Sequence, residues 1–463
     1  MKLLSATVVT TAVASIAGCG PRAPGLGADD DLGLALPLGG PGEERALALV
    51  ASPDGDALIL GTAAGPLADE GPLASLEPGH FLARVRPDGA IAWARSLPVP
   101  SGAWPQVRLA ADPAGGPVVA ATVVGPAVDL GSGPLEGGGA SDLLLARFDA
   151  DGALVKALRF GGPGFQTLNG LDVDARGRVV LSGRFERLEL PGRPSLRAAG
   201  REDGFVAAFD RELRPRWVHA FPSVGLVSAT AVSAVPRPAE RTAAVCAALR
   251  YEAPVAAAPL GERGRVTEPG VALVQLDAEG ALTAARVLPD APAALELVDV
   301  RCGADGELVA AGRSAPGTTA LDPQLGPGDG GTDGVVLRGL GVLVLNPARL
   351  GGPGNDQLRA LAPAHGRVWV TGGTEVGIAL PGGRLEGGGI RSAFLARFDR
   401  DLRARYGVAL RAQGADASYA AGLAPTRRGV WWWTGFTGAV TLGKRRFVSA
   451  GEGDLLLLRF EPS

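Results

Sequence analysis

The sequence predicts an all-β fold, a single seven-bladed β-propeller of four-stranded antiparallel blades. Three observations predict it: a strand motif that recurs seven times, a second hairpin that recurs in step with it, and chain ends that complement each other. The motif starts at Phe81, Leu143, Phe205, Val271, Val335, Phe394 and Leu455, as in Leu143-Leu-Leu-Ala-Arg-Phe148. Successive starts lie 62, 62, 66, 64, 59 and 61 residues apart. A steady period marks a repeat architecture, and it overrides the several domains that 463 residues would otherwise imply.

The amino terminus comes first in chain order. Met1-Lys2 supplies one positive charge, and Leu3–Ala17 is a short, mostly apolar run. That run is too short to span a bilayer, which takes about 20 residues, but suits the apolar region of a signal peptide. It ends Ser15-Ile16-Ala17-Gly18-Cys19. Residues 1–18 are expected to be a signal peptide and 19–29, rich in Gly and Pro, a flexible tether; 30–463 form the propeller.

Residues 33–41 then read as a lone strand that matches the return strand of a hairpin. The chain stops at Phe460-Glu461-Pro462-Ser463, before the return strand of its own last hairpin. The amino-terminal strand is therefore expected to complete the carboxy-terminal blade and close the ring.

Between these ends the module is clearest at residues 142–186. Leu143–Phe148 and Ala153–Phe160 flank the turn Asp149-Ala150-Asp151-Gly152. After Gly161-Gly162-Pro163-Gly164, Leu171–Val173 and Arg178–Gly183 flank Asp174–Gly177. Strand formers bounded by Asp and Gly turn residues make each half a hairpin. The second hairpin recurs at Leu47–Gly61, Val107–Ala121, Ala231–Ala247, Val298–Gly312, Leu361–Gly372 and Leu423–Gly435. A four-stranded sheet with two apolar faces needs neighbours, and radial closure supplies them without leaving edges exposed. Gly-rich stretches such as 128–139, 377–389 and 439–443 are expected between blades, as part of the repeat and with an extra short hairpin as one form they could take. The stretches 204–260 and 334–346 depart from the pattern, and Val335–Leu345 lacks the Asp-x-x-Gly turn, so local irregularity is expected there.

Ile16-Ala-Gly-Cys19 resembles the bacterial lipobox, which implies acylation of Cys19 as a lipid anchor. Gly20 stands where the familiar inner-membrane retention signal has Asp, so the resemblance favours the outer membrane. Phe-Gly-Gly-Pro-Gly, then Val-Asp-Ala-x-Gly-x-Val-Val-x-Ser-Gly, then a Gly-rich spacer and Phe/Leu-x-Ala-Arg-Phe-Asp, resembles the bacterial SBBP-type β-propeller repeat of predicted cell-surface proteins and lipoproteins. The resemblance covers about residues 30 to 463 and implies fold and location. It is nearly silent on activity.

Residues that could carry chemistry are few. His80, His219 and His365 fall at unlike repeat positions and are not expected to converge, so no metal or catalytic site is assigned. No nucleophile elbow, zinc-protease motif, P-loop or dinucleotide fingerprint appears, and no cofactor is assigned. Lys and Arg number 45 against 48 Asp and Glu, so no net field favours nucleic acid. Only three of the basic residues are Lys, which reads as genome composition. An oxidising compartment permits a Cys246–Cys302 disulfide, but neighbouring blades do not fix a suitable Cα separation; two buried free thiols are the expectation. Trp93, Trp217 and Tyr406 share one repeat position, held by Lys156 in the second copy, and are expected in the core. So is Trp431-Trp432-Trp433, with Trp432 facing opposite to its neighbours. The pairs after Gly-Gly-Pro-Gly, namely Glu43-Glu44, Phe165-Gln166 and Asn355-Asp356, are expected to be solvated turn residues.

The expected role is a membrane-anchored, non-catalytic disc whose loops bind a protein or glycan partner. The alternative is a propeller hydrolase or lyase acting on polysaccharide or peptidoglycan, with carboxylates drawn from several blades to one channel mouth. An assembly scaffold of the envelope is a third class.

Overall fold

The computed structural model describes residues 31–461 apart from 98, 100–103, 105, 126, 236–243, 253–268, 289–294, 304, 316–327, 329 and 343. Cys19 and the segments expected to be a signal peptide (1–18) and a tether (19–29) lie outside the described residues. Seven four-stranded antiparallel sheets form the ring. Blade 1 is Arg45–Ala51, Ala57–Ala63, Gly79–Val85 and Ile91–Leu97; blade 2 is Gln106–Ala111, Pro117–Val123, Asp142–Phe148 and Leu154–Phe160. Blade 3 is Gln166–Val173, Val179–Phe185, Asp203–Phe209 and Pro215–Phe221; blade 4 is Val227–Ala234, Val245–Tyr251, Gly270–Leu276 and Leu282–Leu288. Blade 5 is Leu295–Cys302, Glu307–Ser314, Asp333–Leu340 and Val344–Leu350; blade 6 is Asp356–Ala364, Arg367–Thr374, Ser392–Phe398 and Ala404–Ala412. Blade 7 is Ser418–Thr426, Gly429–Phe436 and Asp454–Phe460, completed by Leu32–Leu38. That last pairing runs from Leu32↔Phe460 to Leu38↔Leu455, so the two ends of the chain close the ring as expected.

The repeat sets the period of the blades, and hydrogen bonding sets their phase. Each blade joins the second hairpin of one module to the first hairpin of the next, with Gly-Gly-Pro-Gly as the crossing between blades. The Gly-rich spacers therefore lie inside blades, between second and third strands, and correct the expectation that they separate blades. They do form small hairpins: Ala127–Asp129 with Pro134–Glu136, Gly377–Leu380 with Gly383–Glu386, and Ala439–Leu442 with Arg445–Val448. The last of these pairs with the outer strand of blade 6 at Arg411↔Thr441 and Ala412↔Val440, covering an edge that would otherwise be open.

The core is divided into seven apolar clusters, one at each interface between adjacent blades. This follows from strand alternation, which sends successive side chains to opposite neighbours. Trp431 and Trp433 pack against Leu49, Ile59 and Phe81 of blade 1, whereas Trp432 packs against Trp369 and Leu395 of blade 6. All three indoles are buried, as expected, and each donates its N–H across an interface: to Gly55 O (2.9 Å), Thr371 Oγ1 (2.8 Å) and Leu60 O (3.3 Å).

The position shared by Trp93 and Trp217 staples blades 1, 2 and 3 each to the next. Trp93 Nε1 donates to Ala150 O (2.8 Å), Trp217 Nε1 to Ala278 O (2.8 Å), and Lys156 Nζ to Glu212 O (2.6 Å). Each acceptor sits in the outer-hairpin turn of the following blade. The arginine of the Ala-Arg-Phe motif works alongside. Arg84 donates to Ala150 O (3.2 Å), Arg147 to Gly177 O (2.7 Å), Arg338 to Asp399 O (2.9 Å), and Arg459 closes the circle on Pro87 O (3.2 Å). Composition alone does not explain these arginines.

Cys246 and Cys302 are joined in a disulfide with a Cα separation of 6.3 Å, which corrects the expectation of free thiols. Cys246 lies on the second strand of blade 4, and Cys302 ends the inner strand of blade 5. Both face one interface cluster, and that shared face brings them within bonding reach. The hairpin after Val335, where irregularity was expected, has the more regular ladder: it runs without a shift to Leu340↔Val344, whereas the outer hairpins closed by Asp149–Gly152 and Asp277–Gly280 slip by one residue before the turn. Among the described residues no helix is long and apolar enough to cross a membrane.

Candidate functional site in the central channel

The inner strand of every blade faces a central cavity of about 1000 Å³. Six of these strands carry a β-bulge, at Leu47, Asn169, Thr230, Val298, Arg359 and Ala421. A bulge leaves one residue out of the ladder and re-aims its side chain. Here it sets one residue per blade against the channel. Blade 2 has an unshifted register and contributes Arg108 instead.

Most polar groups on the wall are already engaged. Arg108 Nε donates to Asn169 O (2.7 Å), and Asn169 Nδ2 donates to Ser228 Oγ (2.8 Å) and Ala229 O (3.1 Å), linking blades 2, 3 and 4. Towards the turn end, Arg301 Nη1 lies 3.4 Å from Asp172 Oδ2 and its Nε 3.2 Å from Asp299 Oδ1. Asp172 also accepts from Ser233 Oγ (3.1 Å) and Ala234 N (3.0 Å), and Asp299 from Leu361 N (2.9 Å). This network ties blades 3 to 6 together. Burial raises the pKa of Asp299 despite Arg301 beside it, and Asp299 in turn holds the Arg301 guanidinium above its ordinary value. At the opposite end Glu296 accepts from Arg313 (2.6 Å). Arg359 is exposed to the channel and makes no hydrogen bond or ion pair among the described residues.

Antiparallel strand order puts the Gly-Gly-Pro-Gly crossings and the small hairpins on one face of the disc, and the tight Asp turns on the other. The first face carries exposed apolar side chains, including Phe165 (54% exposed), Val224 (77%) and Ile390 (62%). The pairs after Gly-Gly-Pro-Gly correct the sequence reading. Glu43 and Phe165 are exposed, but Glu44, Gln166 and Asp356 are buried. A tight glycine loop leaves backbone groups without partners, and this buried side chain supplies them. Glu44 accepts from Gly40 N (3.2 Å) and Ala64 N (3.4 Å), and Gln166 Nε2 donates to Gly162 O (3.2 Å) and Arg187 O (2.8 Å). Burial pushes Asp356 up to about 6, with the charges of Asp333 and Glu375 adding to the rise.

The three histidines occupy separate surroundings. His80 is buried with Nδ1 3.2 Å from Val99 O, His219 Nδ1 lies 3.0 Å from Gly280 O, and His365 sits in a turn with φ 52°. Burial lowers the pKa of both His80 and His219. Of the residues now placed on the channel wall or paired with it, Arg108, Asp172, Asp299, Arg301 and Arg359 carried no repeat signal. Their departure from apolar neighbours in the same strands was the available sign.

No family model matches this chain, and no curated protein matches it. Solved structures do show similarity. A protein of unknown function from Dyadobacter fermentans is 14% identical with a TM-score of 0.40, covering 77% of this chain and 94% of its own. The Neurospora crassa Pan2 WD40 domain is 10% identical with a TM-score of 0.42, covering 90% of each chain. A polysaccharide lyase of family PL25, an ulvan lyase, is 10% identical with a TM-score of 0.46, covering 90% of this chain and 96% of its own.

Proposed function

We propose that this chain is a non-catalytic binding module, held by a lipid on Cys19 at the bacterial outer membrane and presenting a rigid disc to a protein or glycan partner. The observation that carries the reading is how three carboxylates on and behind the channel wall are used. Asp172, Asp299 and Glu296 are each tied to an arginine, and the first two also to backbone N–H groups. Carboxylates so engaged hold the ring together and are poor acid–base catalysts. Apolar side chains on the loop face supply a surface that a partner would cover. The Ile16–Cys19 motif supports the anchor, since two or more acyl chains hold a protein stably at a membrane.

Metabolic labelling with palmitate tests the anchor: the native chain is expected to incorporate label and fractionate with the outer membrane, and Cys19→Ala to do neither. Label retained in that variant refutes the anchor. Incubation with envelope polysaccharides and peptidoglycan tests the rest. Binding without chain cleavage is expected, and depolymerisation would replace this reading by a hydrolase or lyase.

A further inference from the structure

Among the guanidinium groups that line the channel, Arg108 and Arg359 have no ion pair among the described residues. Arg108 is anchored through Nε to Asn169 O and through Nη1 to Val107 O (3.0 Å), both backbone carbonyls that leave its charge uncompensated. Its Nη2 has no hydrogen-bond partner among the described residues and can donate to a ligand. Arg359 is put into the channel by the bulge between Leu358 and Ala360 and has no partner among the described residues. Three of the acids around them are taken: Asp172 and Asp299 by Arg301, and Glu296 by Arg313. The charge of Arg359 reaches Arg108, where it adds to desolvation in lowering the pKa against the larger opposing pull of Asp299. Arg359 is depressed chiefly by desolvation inside the channel, then by the charges of Arg391 and Arg313, against the opposing pull of Glu296.

We propose that the channel binds an acidic saccharide, with Arg108 and Arg359 clamping its carboxylate and Tyr419 facing its ring. The inference deepens the binding-module reading and rests on it. A guanidinium matches a planar carboxylate with two parallel N–H donors, and such charge-assisted bonds are about twice as strong as neutral ones. The rest of the wall suits hydroxyl groups. Asn169, Ser228 and Thr230 line blades 3 and 4, and the Ser228 hydroxyl, which accepts from Asn169, keeps its own proton to donate. Tyr419 is 48% exposed on the wall of blade 7 and offers an aromatic face with a polar tip. The cavity falls at the upper end of the usual range for small-ligand sites, about 300–1000 Å³.

Calorimetric titration of the full-length Cys19→Ala protein with trigalacturonate tests the proposal. Maltotriose serves as the neutral arm and inorganic sulfate as the free-anion arm. Trigalacturonate is expected to bind, maltotriose not to, and Arg359→Gln to weaken binding about tenfold or more, since a lost bond to a charged group costs that much. Arg359→Gln removes no internal hydrogen bond, so the variant is expected to fold. Arg214→Gln, on an outer turn, is expected to bind as the parent does. Unchanged affinity in Arg359→Gln, or equal affinity for maltotriose, overturns the clamp; sulfate binding as tightly as trigalacturonate overturns the saccharide. Capture of a partner by the disc without trigalacturonate binding refutes this inference alone, and absence of both refutes the binding-module reading with it.

Discussion

Replacing Cys246 and Cys302 together by Ala isolates the disulfide. The bridge closes a loop with a sequence separation of 56 residues between blades 4 and 5. The chain-entropy relation for a loop of that length gives about 4 kcal/mol at 25 °C. That is a large share of the roughly 5–15 kcal/mol by which folded domains exceed their unfolded state. Both sulfurs sit in an apolar cluster with Val300, Leu308 and Leu273, and Ala fills part of the same space without a polar atom. Urea denaturation in a Cys19→Ala background, with and without reductant, is the assay. For a chain this long, with m above about 3 kcal/mol/M, the midpoint is expected to fall by roughly 1 M in the double variant and in the reduced parent alike. Two free thiols titrated in the unreduced, unfolded Cys19→Ala protein would refute the bond. An unchanged midpoint would refute the loop-entropy account of its contribution.

Deleting residues 32–38 removes the strand paired with Asp454–Phe460 and leaves that edge open. Aggregation on size-exclusion chromatography is expected, because an unpaired edge templates association; a monomer with the native circular dichroism spectrum would show that closure is dispensable. Asp356 gives a pH dependence. Its folded pKa is raised from 3.8 to about 6, so the native state binds the proton more tightly and stability falls as pH rises between about 4 and 6. At 1.36 kcal/mol per pH unit the cost at pH 7 is on the order of 3 kcal/mol, and Asp356→Asn is expected to recover part of it at pH 7 and nothing at pH 3.5, as read by chemical denaturation.

How far the sequence reached depends on the range of the interaction concerned. Hairpins are local: Asp149 Oδ1 accepts from Asp151 N (3.0 Å) and Ala153 N (2.8 Å), so the turn is written in residues that touch it. Repetition of such turns establishes the number of blades, and strand alternation correctly divides Trp432 from Trp431 and Trp433. A period has no phase, however. Whether a Gly-rich spacer falls within a blade or between two depends on which hairpins bond to each other. The same holds for Glu44, Gln166 and Asp356, which look like turn residues until the glycine loop folds over them.

The sequence by itself determined the all-β class, the seven blades and the strand that closes the ring, because each follows from patterns repeated about every 62 residues along the chain. Only the tertiary structure decided that Cys246 meets Cys302, that Asp172 reaches Arg301 past an intervening blade, and that Arg108 and Arg359 share one cavity. Those groups are brought together by the curvature of the ring, and curvature is a property of seven packed interfaces that no single repeat contains.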